Sequence, residues 1–390
     1  MRKTLLITLT LITTLVVNAQ TLPYSQRMAK TVTTLWKDSL PTGNKWTYDQ
    51  GVILKGFEGI WQDTGNRSYF DFIKYCMDKF IQPDGTIRTY RQQEYNIDNV
   101  LCGRNLITLY KVTKDVKYLK AIQLLREQLR HQPRVPQGGF WHKKRYTNQM
   151  WLDGLYMGEP FYAEYAATFK DDTAFNDIAR QFILMETYSR DSKTGLLYHA
   201  WDESKTERWA DPVTGRSANF WGRAMGWYGM ALVDVLDKFP ANHPKRKVLL
   251  DILKRYAVAI IKVQDAPTGL WYDVLDKGTE KKNYLEASAS CMFVYTLAKA
   301  VRQGYLPKAY WPAAKKGYQG IIKKFIETDA NGFTNLKGTV KVSGLGGNPY
   351  RDGSYNYYMS EDVITNDAKG VGAFILASVE MERLYKSKNR

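Results

Sequence analysis

Val248–Tyr272 reads VLLDILKRYAVAIIKVQDAPTGLWY. From Val248 to Val263 the apolar side chains recur three and four positions apart, the period of an amphipathic helix. Thr268-Gly269 then makes a tight turn, and Leu270-Trp271-Tyr272 follows in extended form. The same sequence of events recurs along the chain, as Asp84-Gly85-Thr86-Ile87, Gly138-Gly139-Phe140-Trp141, Thr194-Gly195-Leu196-Leu197-Tyr198 and Asn331-Gly332-Phe333. With the turn glycines taken as 85, 139, 195, 269 and 332, the steps are 54, 56, 74 and 63 residues. Each step has room for two helices.

Helical periodicity places helices at 23–38, 46–63, 67–81, 94–113, 115–131, 148–169, 172–190, 217–238, 244–265, 284–304, 309–327 and 361–386, with almost no convincing strand. A helix–turn–helix unit repeated about six times cannot bury its apolar face alone, so neighbouring hairpins must complete the core. The pattern predicts an all-α protein, an (α/α)6 barrel of six helical hairpins, with an open helical solenoid as the alternative. The long polar segments Ala200–Ser217 and Thr334–Met359 favour the closed ring with its loops pooled at one mouth, because long irregular loops in compact domains are usually functional.

The N-terminus has the three parts of a secretory leader: Arg2-Lys3, an apolar run from Leu5 to Val17, and Val17-Asn18-Ala19 as a small-x-small cleavage pattern. Residues 1–19 are therefore expected to be removed. The protein is expected to be exported, to the periplasm or beyond, with residues 20–390 forming one catalytic domain. No later stretch is long and apolar enough to span a bilayer, so no membrane partner is expected.

The formal net charge is +17, two of those charges lying in the leader. Lys and Arg are scattered rather than clustered. For an exported protein this points away from nucleic acid, and suits either an anionic saccharide or an ordinary solvated surface. The 11 Trp and 27 Tyr suit stacking against sugar faces as well as core packing. Cys76, Cys102 and Cys291 are odd in number and form no CxxC pair, so no disulfide framework is expected. His131, His142, His199 and His243 show no metal-ligand spacing, so neither a metal site nor a cofactor is expected.

Two acids stand out. Asp98 lies in Tyr95-Asn96-Ile97-Asp98-Asn99-Val100, where it could equally cap a helix. Asp153 lies among Trp151, Leu152, Leu155 and Met157. A carboxyl in such company is costly unless it has partners or a task, and apolar surroundings favour the protonated form that a general acid needs. His142-Lys143-Lys144 precedes this segment, and Tyr198-His199-Ala200-Trp201-Asp202 follows it. Phe220-Trp221-Gly222-Arg223-Ala224-Met225-Gly226-Trp227 sets an Arg between two Trp at a helix start, which suits either a carboxylate-binding platform or close helix packing.

These segments, in this order and with Trp46-Thr47-Tyr48-Asp49-Gln50-Gly51-Val52 ahead of them, resemble the unsaturated rhamnogalacturonyl hydrolases of glycoside hydrolase family 105. The resemblance covers most of the chain; a weaker one links it to the unsaturated glucuronyl hydrolases of family 88. It implies an (α/α)6 barrel and a substrate ending in a 4,5-unsaturated uronic acid, left by a polysaccharide lyase. It also implies that Asp153 protonates the C4=C5 double bond and then deprotonates the water that adds at C5. The hemiketal so formed opens, and the glycosidic link is lost without attack at C1. Asp98 is implied to hold the sugar's hydroxyls. His199 and Arg223 are implied to lie near the sugar; Tyr48, Trp151, Trp221 and Trp227 to shape the pocket; and His142 and Lys143 to handle polar or anionic groups. Two other readings compete: a conventional inverting glycosidase using Asp98 and Asp153 across a scissile bond, and an exported oligosaccharide-binding protein that needs the aromatics and Arg223 but no acid at 153.

Overall fold

Twelve long helices alternate between an outer and an inner ring in a computed structural model that describes residues 22–37, 40 and 43–388; the leader segment 1–19 lies outside the described residues. The outer helices are α1 (Tyr24–Leu35), α3 (Arg67–Asp78), α5 (Val116–His131), α7 (Ala174–Ser189), α9 (Arg246–Lys262) and α11 (Trp311–Phe325). The inner ones are α2 (Tyr48–Thr64), α4 (Gly103–Thr113), α6 (Leu152–Phe169), α8 (Gly222–Leu236), α10 (Ala287–Arg302) and α13 (Ala368–Lys388). The inner ring runs α2, α4, α6, α8, α10, α13 and closes where α13 packs on α2. This is the (α/α)6 barrel. The order follows from composition: every residue of α8 is buried, as is Ala287–Ala300 of α10, whereas α5 and α9 bury one apolar stripe and turn charged residues outward.

The repeated turns join each outer helix to the next inner one, and they pack outward as well. Gly85 and Gly269 adopt positive φ (+89° and +75°). A Cβ at Gly85 would strike Lys120 on α5, and one at Gly269 would come within 2.7 Å of Lys316 on α11. Each turn is thus seated on the following outer helix, which glycine permits by lacking a side chain. In the second repeat the left-handed residue is Gly138 (φ +95°), not Gly139; Gly139 is instead the point where Met150 passes too close for a Cβ.

Several helix starts fall later than the periodicity indicates. Tyr95, Asn148 and Asn366 have positive φ, which a helix cannot pass through, so α4, α6 and α13 begin beyond them. Residues Ile97–Val100 form a 3-10 turn. Six short strands also occur among the described residues, in three antiparallel pairs: β1 (Gln149–Trp151) with β2 (Ala200–Asp202), β3 (Ile326–Thr328) with β4 (Thr334–Leu336), and β5 (Thr339–Val340) with β6 (Val363–Ile364). Two- and three-residue strands are too short to leave a period in the sequence. A further short helix, α12 (Tyr355–Tyr358), lies in the long segment before β6.

Towards the C-terminal ends of α6, α8 and α10, charged residues occupy the barrel interior, joined there by Arg104 from the first turn of α4. Arg104 reaches Glu164 (2.8 Å) and Asp234 (2.9 Å), and Lys299 reaches Asp234 (2.6 Å). They line a cavity of about 130 Å³. Opposite charges hold one another there, Arg104, Glu164, Asp234 and Lys299 each having a partner of the other sign.

Candidate active site

The inner helices all start at the same mouth, and most of the residues singled out in the sequence sit in or beside their first turns. Tyr48 opens α2, Asp98 lies in the 3-10 turn ahead of α4, and Asp153, Arg223 and Ser288 are the second residues of α6, α8 and α10. Asp367 immediately precedes α13. The starts of the inner helices thus gather polar and charged side chains at one mouth, where the first N–H groups of α10 and α13 are already taken by Glu286 and Asp367.

Asp153 is positioned by the β1–β2 pair, which places Trp151 opposite Ala200 and brings His199 beside the start of α6. The Leu152 N–H donates to the His199 carbonyl at 3.1 Å, locking the two segments together. His199 Nε2 lies 3.3 Å from Asp153 Oδ1, and neither atom has a hydrogen-bond partner. The ring is fully buried and its Nδ1 lies 2.9 Å from the Tyr358 hydroxyl of α12. Its faces meet Trp221 (4.8 Å between ring centroids) and the edge of Trp151 (5.3 Å).

Asp98 has a different environment. It does not cap a helix; Asn96 does so, with its Oδ1 accepting from the Asp98 N–H. Asp98 Oδ2 takes Lys143 Nζ at 2.6 Å, and Oδ1 lies 3.4 Å from His142 Nε2. Burial raises its carboxyl pKa, but Lys143, His142 and Arg145 outweigh that and hold it below the ordinary value. Burial pushes the His142 imidazole down to about 4, so it is neutral near pH 7 despite the neighbouring carboxylate. His142 stacks on Trp151 (4.7 Å, 5° between planes), and a Cβ on Gly154 would come within 2.9 Å of its Nδ1. It thereby spans the interval between the two acids.

The other predicted residues divide. The Tyr48 phenol, held protonated chiefly by burial with Asp49 beside it, meets Trp227 edge-on at 6.2 Å, and Trp227 stacks on Tyr156 at 4.9 Å. Arg223 lies over the Trp221 ring at 4.9 Å but is only 1% exposed. Its Nη1 donates to the Val340 carbonyl at 2.5 Å and to Ser288 at 3.4 Å. Its guanidinium thus already ties β5 to α10. Sequence reasoning did not select Tyr358, Tyr146 or Asp273. Tyr358 sits in a segment with no deciding motif. Tyr146 joins the His142–Trp151 stack (4.8 Å from Trp151) but reads as a loop residue. Asp273, fully buried, accepts from Trp221 Nε1 at 3.0 Å, and it follows a repeat turn that explains its neighbours structurally. Among the described residues no group of three or more His, Cys, Asp or Glu is placed to hold a metal ion.

A barrel of helical hairpins with two carboxyl groups in different settings and stacked aromatics at its mouth has the form of a glycoside hydrolase. The sequence model for Glycosyl Hydrolase Family 88 matches residues 24–385, and the chain belongs to that family, within the group classed as family 105. A solved family 105 glycoside hydrolase from C. acetobutylicum ATCC 824 is 48% identical, covers 93% of this chain and 100% of its own, and superposes with a TM-score of 0.90. The unsaturated rhamnogalacturonyl hydrolase YesR of Bacillus subtilis (strain 168) is 29% identical over 251 residues, which is 63% of this chain and 68% of that protein. The unsaturated glucuronyl hydrolase of Bacillus sp. GL1 shares the fold: TM-score 0.69, 15% identity, 92% of this chain and 95% of that one.

Proposed function

We propose that this protein releases the 4,5-unsaturated uronic acid from the non-reducing end of lyase-generated oligosaccharides, with unsaturated galacturonyl-rhamnose from rhamnogalacturonan as its substrate. The observation that carries this reading is the pair Asp153 and His199, a half-buried carboxyl beside a fully buried ring, whose facing atoms Oδ1 and Nε2 are both buried and make no hydrogen bond in the protein. Unpartnered polar atoms at that depth are costly, and a substrate or a water at the mouth would satisfy them.

In this reading Asp153, as the acid, gives its proton to C4 of the double bond. As the carboxylate, it takes a proton from the water that adds at C5. The C5 hemiketal opens and the leaving sugar departs. Asp98, kept ionised by Lys143, accepts hydrogen bonds from the sugar hydroxyls and does not transfer protons. An ionised Asp98 would also suit the base of an inverting pair, so the two readings are separated by the double bond itself, which only hydration consumes. A catalytic reading is also favoured over simple binding, since a binder has no need of Asp153.

The test follows ultraviolet absorbance of the conjugated uronate on a panel of lyase-generated disaccharides. Absorbance falls only when the double bond is consumed. Because the C4=C5 double bond erases the one centre that distinguishes galacturonate from glucuronate, the panel varies the leaving sugar: loss of absorbance with rhamnose as the leaving sugar, and much slower loss with other leaving sugars, is the expected result. Faster loss with another leaving sugar would overturn the substrate, and unchanged absorbance on every member would overturn the reaction. The leader-like segment 1–19 supports export as the place of action; fractionation of the producing cells tests this, and the protein in the cytoplasm at full length would refute it.

A further inference from the structure

Beyond the stacked rings His142, Trp151 and Tyr146, the mouth continues into a groove that the reaction above does not use. One part is a cavity of about 390 Å³ whose lining includes Arg145, Tyr146, Gln149, Glu207, Gly346 and Arg351. It adjoins, through Arg145, a second cavity of about 430 Å³ lined by Glu94, Asn96, Lys143, Lys144 and Arg145.

The charges here are not matched. Arg145 and Arg351 each donate to the same phenol oxygen, that of Tyr146, at 3.2 Å. Arg351 otherwise bonds to the carbonyls of Gly346 (3.0 Å) and Leu345 (3.5 Å). Among the described residues neither guanidinium forms an ion pair, in contrast to the paired cations at the other end of the barrel. The one carboxylate lining the first cavity, Glu207, is engaged by Gln149 Nε2 at 2.9 Å. A buried donor nearby is also unpartnered, the Trp209 indole N–H. Trp209 is 4% exposed, and its Nε1 would lie 3.9 Å from a Cβ on the lining residue Gly346. Trp209, Tyr146, Trp151 and Leu345 make a small apolar cluster separate from the main core, so the groove has an aromatic wall as well as free donors. Planar guanidinium forks match carboxylates best, and they are costly to hold near apolar walls without an anion.

We infer that this groove is a subsite for a second carboxylate, carried by a uronic acid further along the oligosaccharide on the leaving-group side of the bond that breaks. The inference rests on the proposed hydrolysis of an unsaturated uronide, and it makes the enzyme's preferred substrate longer than a disaccharide. The Gly-rich segment 344–353 supplies Arg351 and Gly346, which gives that segment a role in choosing chain length.

The test compares three substrates sharing the same unsaturated uronyl end and first leaving sugar: the disaccharide, a version extended by a uronate-bearing unit, and the same extension with its carboxyl reduced to an alcohol. For the intact enzyme, kcat/KM should be about tenfold higher for the carboxylate-tailed substrate than for the other two, mainly through KM, and the difference should shrink as salt is raised. Arg145 is exposed, so Arg145→Gln leaves the fold intact and should remove most of that advantage. Arg351→Gln, checked for native circular dichroism, should do the same. Equal kcat/KM on all three substrates, with absorbance falling on each, would overturn the subsite and leave the reaction standing. An advantage shared by the reduced tail would show that length and not charge is read, and would also overturn it. No loss of absorbance on any of the three would remove the reaction, and this subsite with it.

Discussion

Asp153 Oδ1 and His199 Nε2 face each other at 3.3 Å without a hydrogen bond, while the far nitrogen of the same ring is held by Tyr358 at 2.9 Å. A buried polar atom left unsatisfied costs about 1–3 kcal/mol, so the folded protein stores an unmet demand at the point where the acid must act. The ring is fixed from one side by Tyr358 and Trp221 and offers its free nitrogen to Asp153 from the other.

Asp153→Asn keeps the shape of the side chain and removes its ability to exchange a proton. Turnover should fall by about 10³-fold with the unfolding temperature and substrate binding nearly unchanged. Binding is measured calorimetrically and turnover by absorbance. A variant retaining a tenth or more of its turnover would take Asp153 out of the mechanism.

Lys143 is the cation that keeps Asp98 ionised, at 2.6 Å. Removing it as Lys143→Met leaves burial as the dominant influence, and burial raises a carboxyl pKa. The acid limb of the kcat/KM profile should then move to higher pH, with a loss of about 1–3 kcal/mol in transition-state binding at pH 5. An acid limb that stays where it was would mean that Asp98 need not be ionised for catalysis.

The barrel was legible because its repeat is long and regular: Val248–Tyr272 alone shows the helix, the turn and the extended exit. What could not be read were the places where single residues with positive φ override periodicity, as at Tyr95 and Asn148. Asp98 and Asp153 stood out because a carboxyl among apolar residues is conspicuous in any sequence. Tyr358 did not, because its contact with His199 spans 159 positions and depends on a four-residue helix in a loop. For Arg223 the sequence left a carboxylate platform and close helix packing both open, and in the fold Val340 and Ser288 accept from its Nη1.

Arg223 therefore tests position against recognition. Because it ties β5 to α10 over the Trp221 ring, Arg223→Ala should lower stability by about 3–5 kcal/mol, as removal of one member of a buried charged network does. The loss in kcat/KM should be the same for the unsaturated acid and for its methyl ester. A penalty confined to the acid would show instead that Arg223 contacts the uronate carboxylate directly.

Asp273 gives a prediction in the opposite pH direction from most carboxylates. Burial, with Glu286 close by, pushes its carboxyl up to about 8 from 3.8, although Trp221 Nε1 and Arg223 act the other way. Glu361 adds to the rise. Between those two values the folded protein holds a proton that the unfolded chain has released. The number bound in the unfolded state is then smaller than in the native one, so stability falls as pH rises from about 4 to about 8 and levels off beyond. Asn in this position keeps an oxygen for the Trp221 N–H and carries hydrogens that do not titrate. Asp273→Asn should thus match the parent near pH 4–5 and become progressively more stable than it towards pH 8, as followed by thermal unfolding at constant ionic strength. Because Asp273 bonds to the Trp221 indole and reaches His199 through its neighbours, kcat should stay within about threefold of the parent, far from the loss expected at Asp153. Parallel melting profiles for the two proteins across this range would show that Asp273 is ionised in the folded state, and that Trp221 is held by a carboxylate and not by an acid.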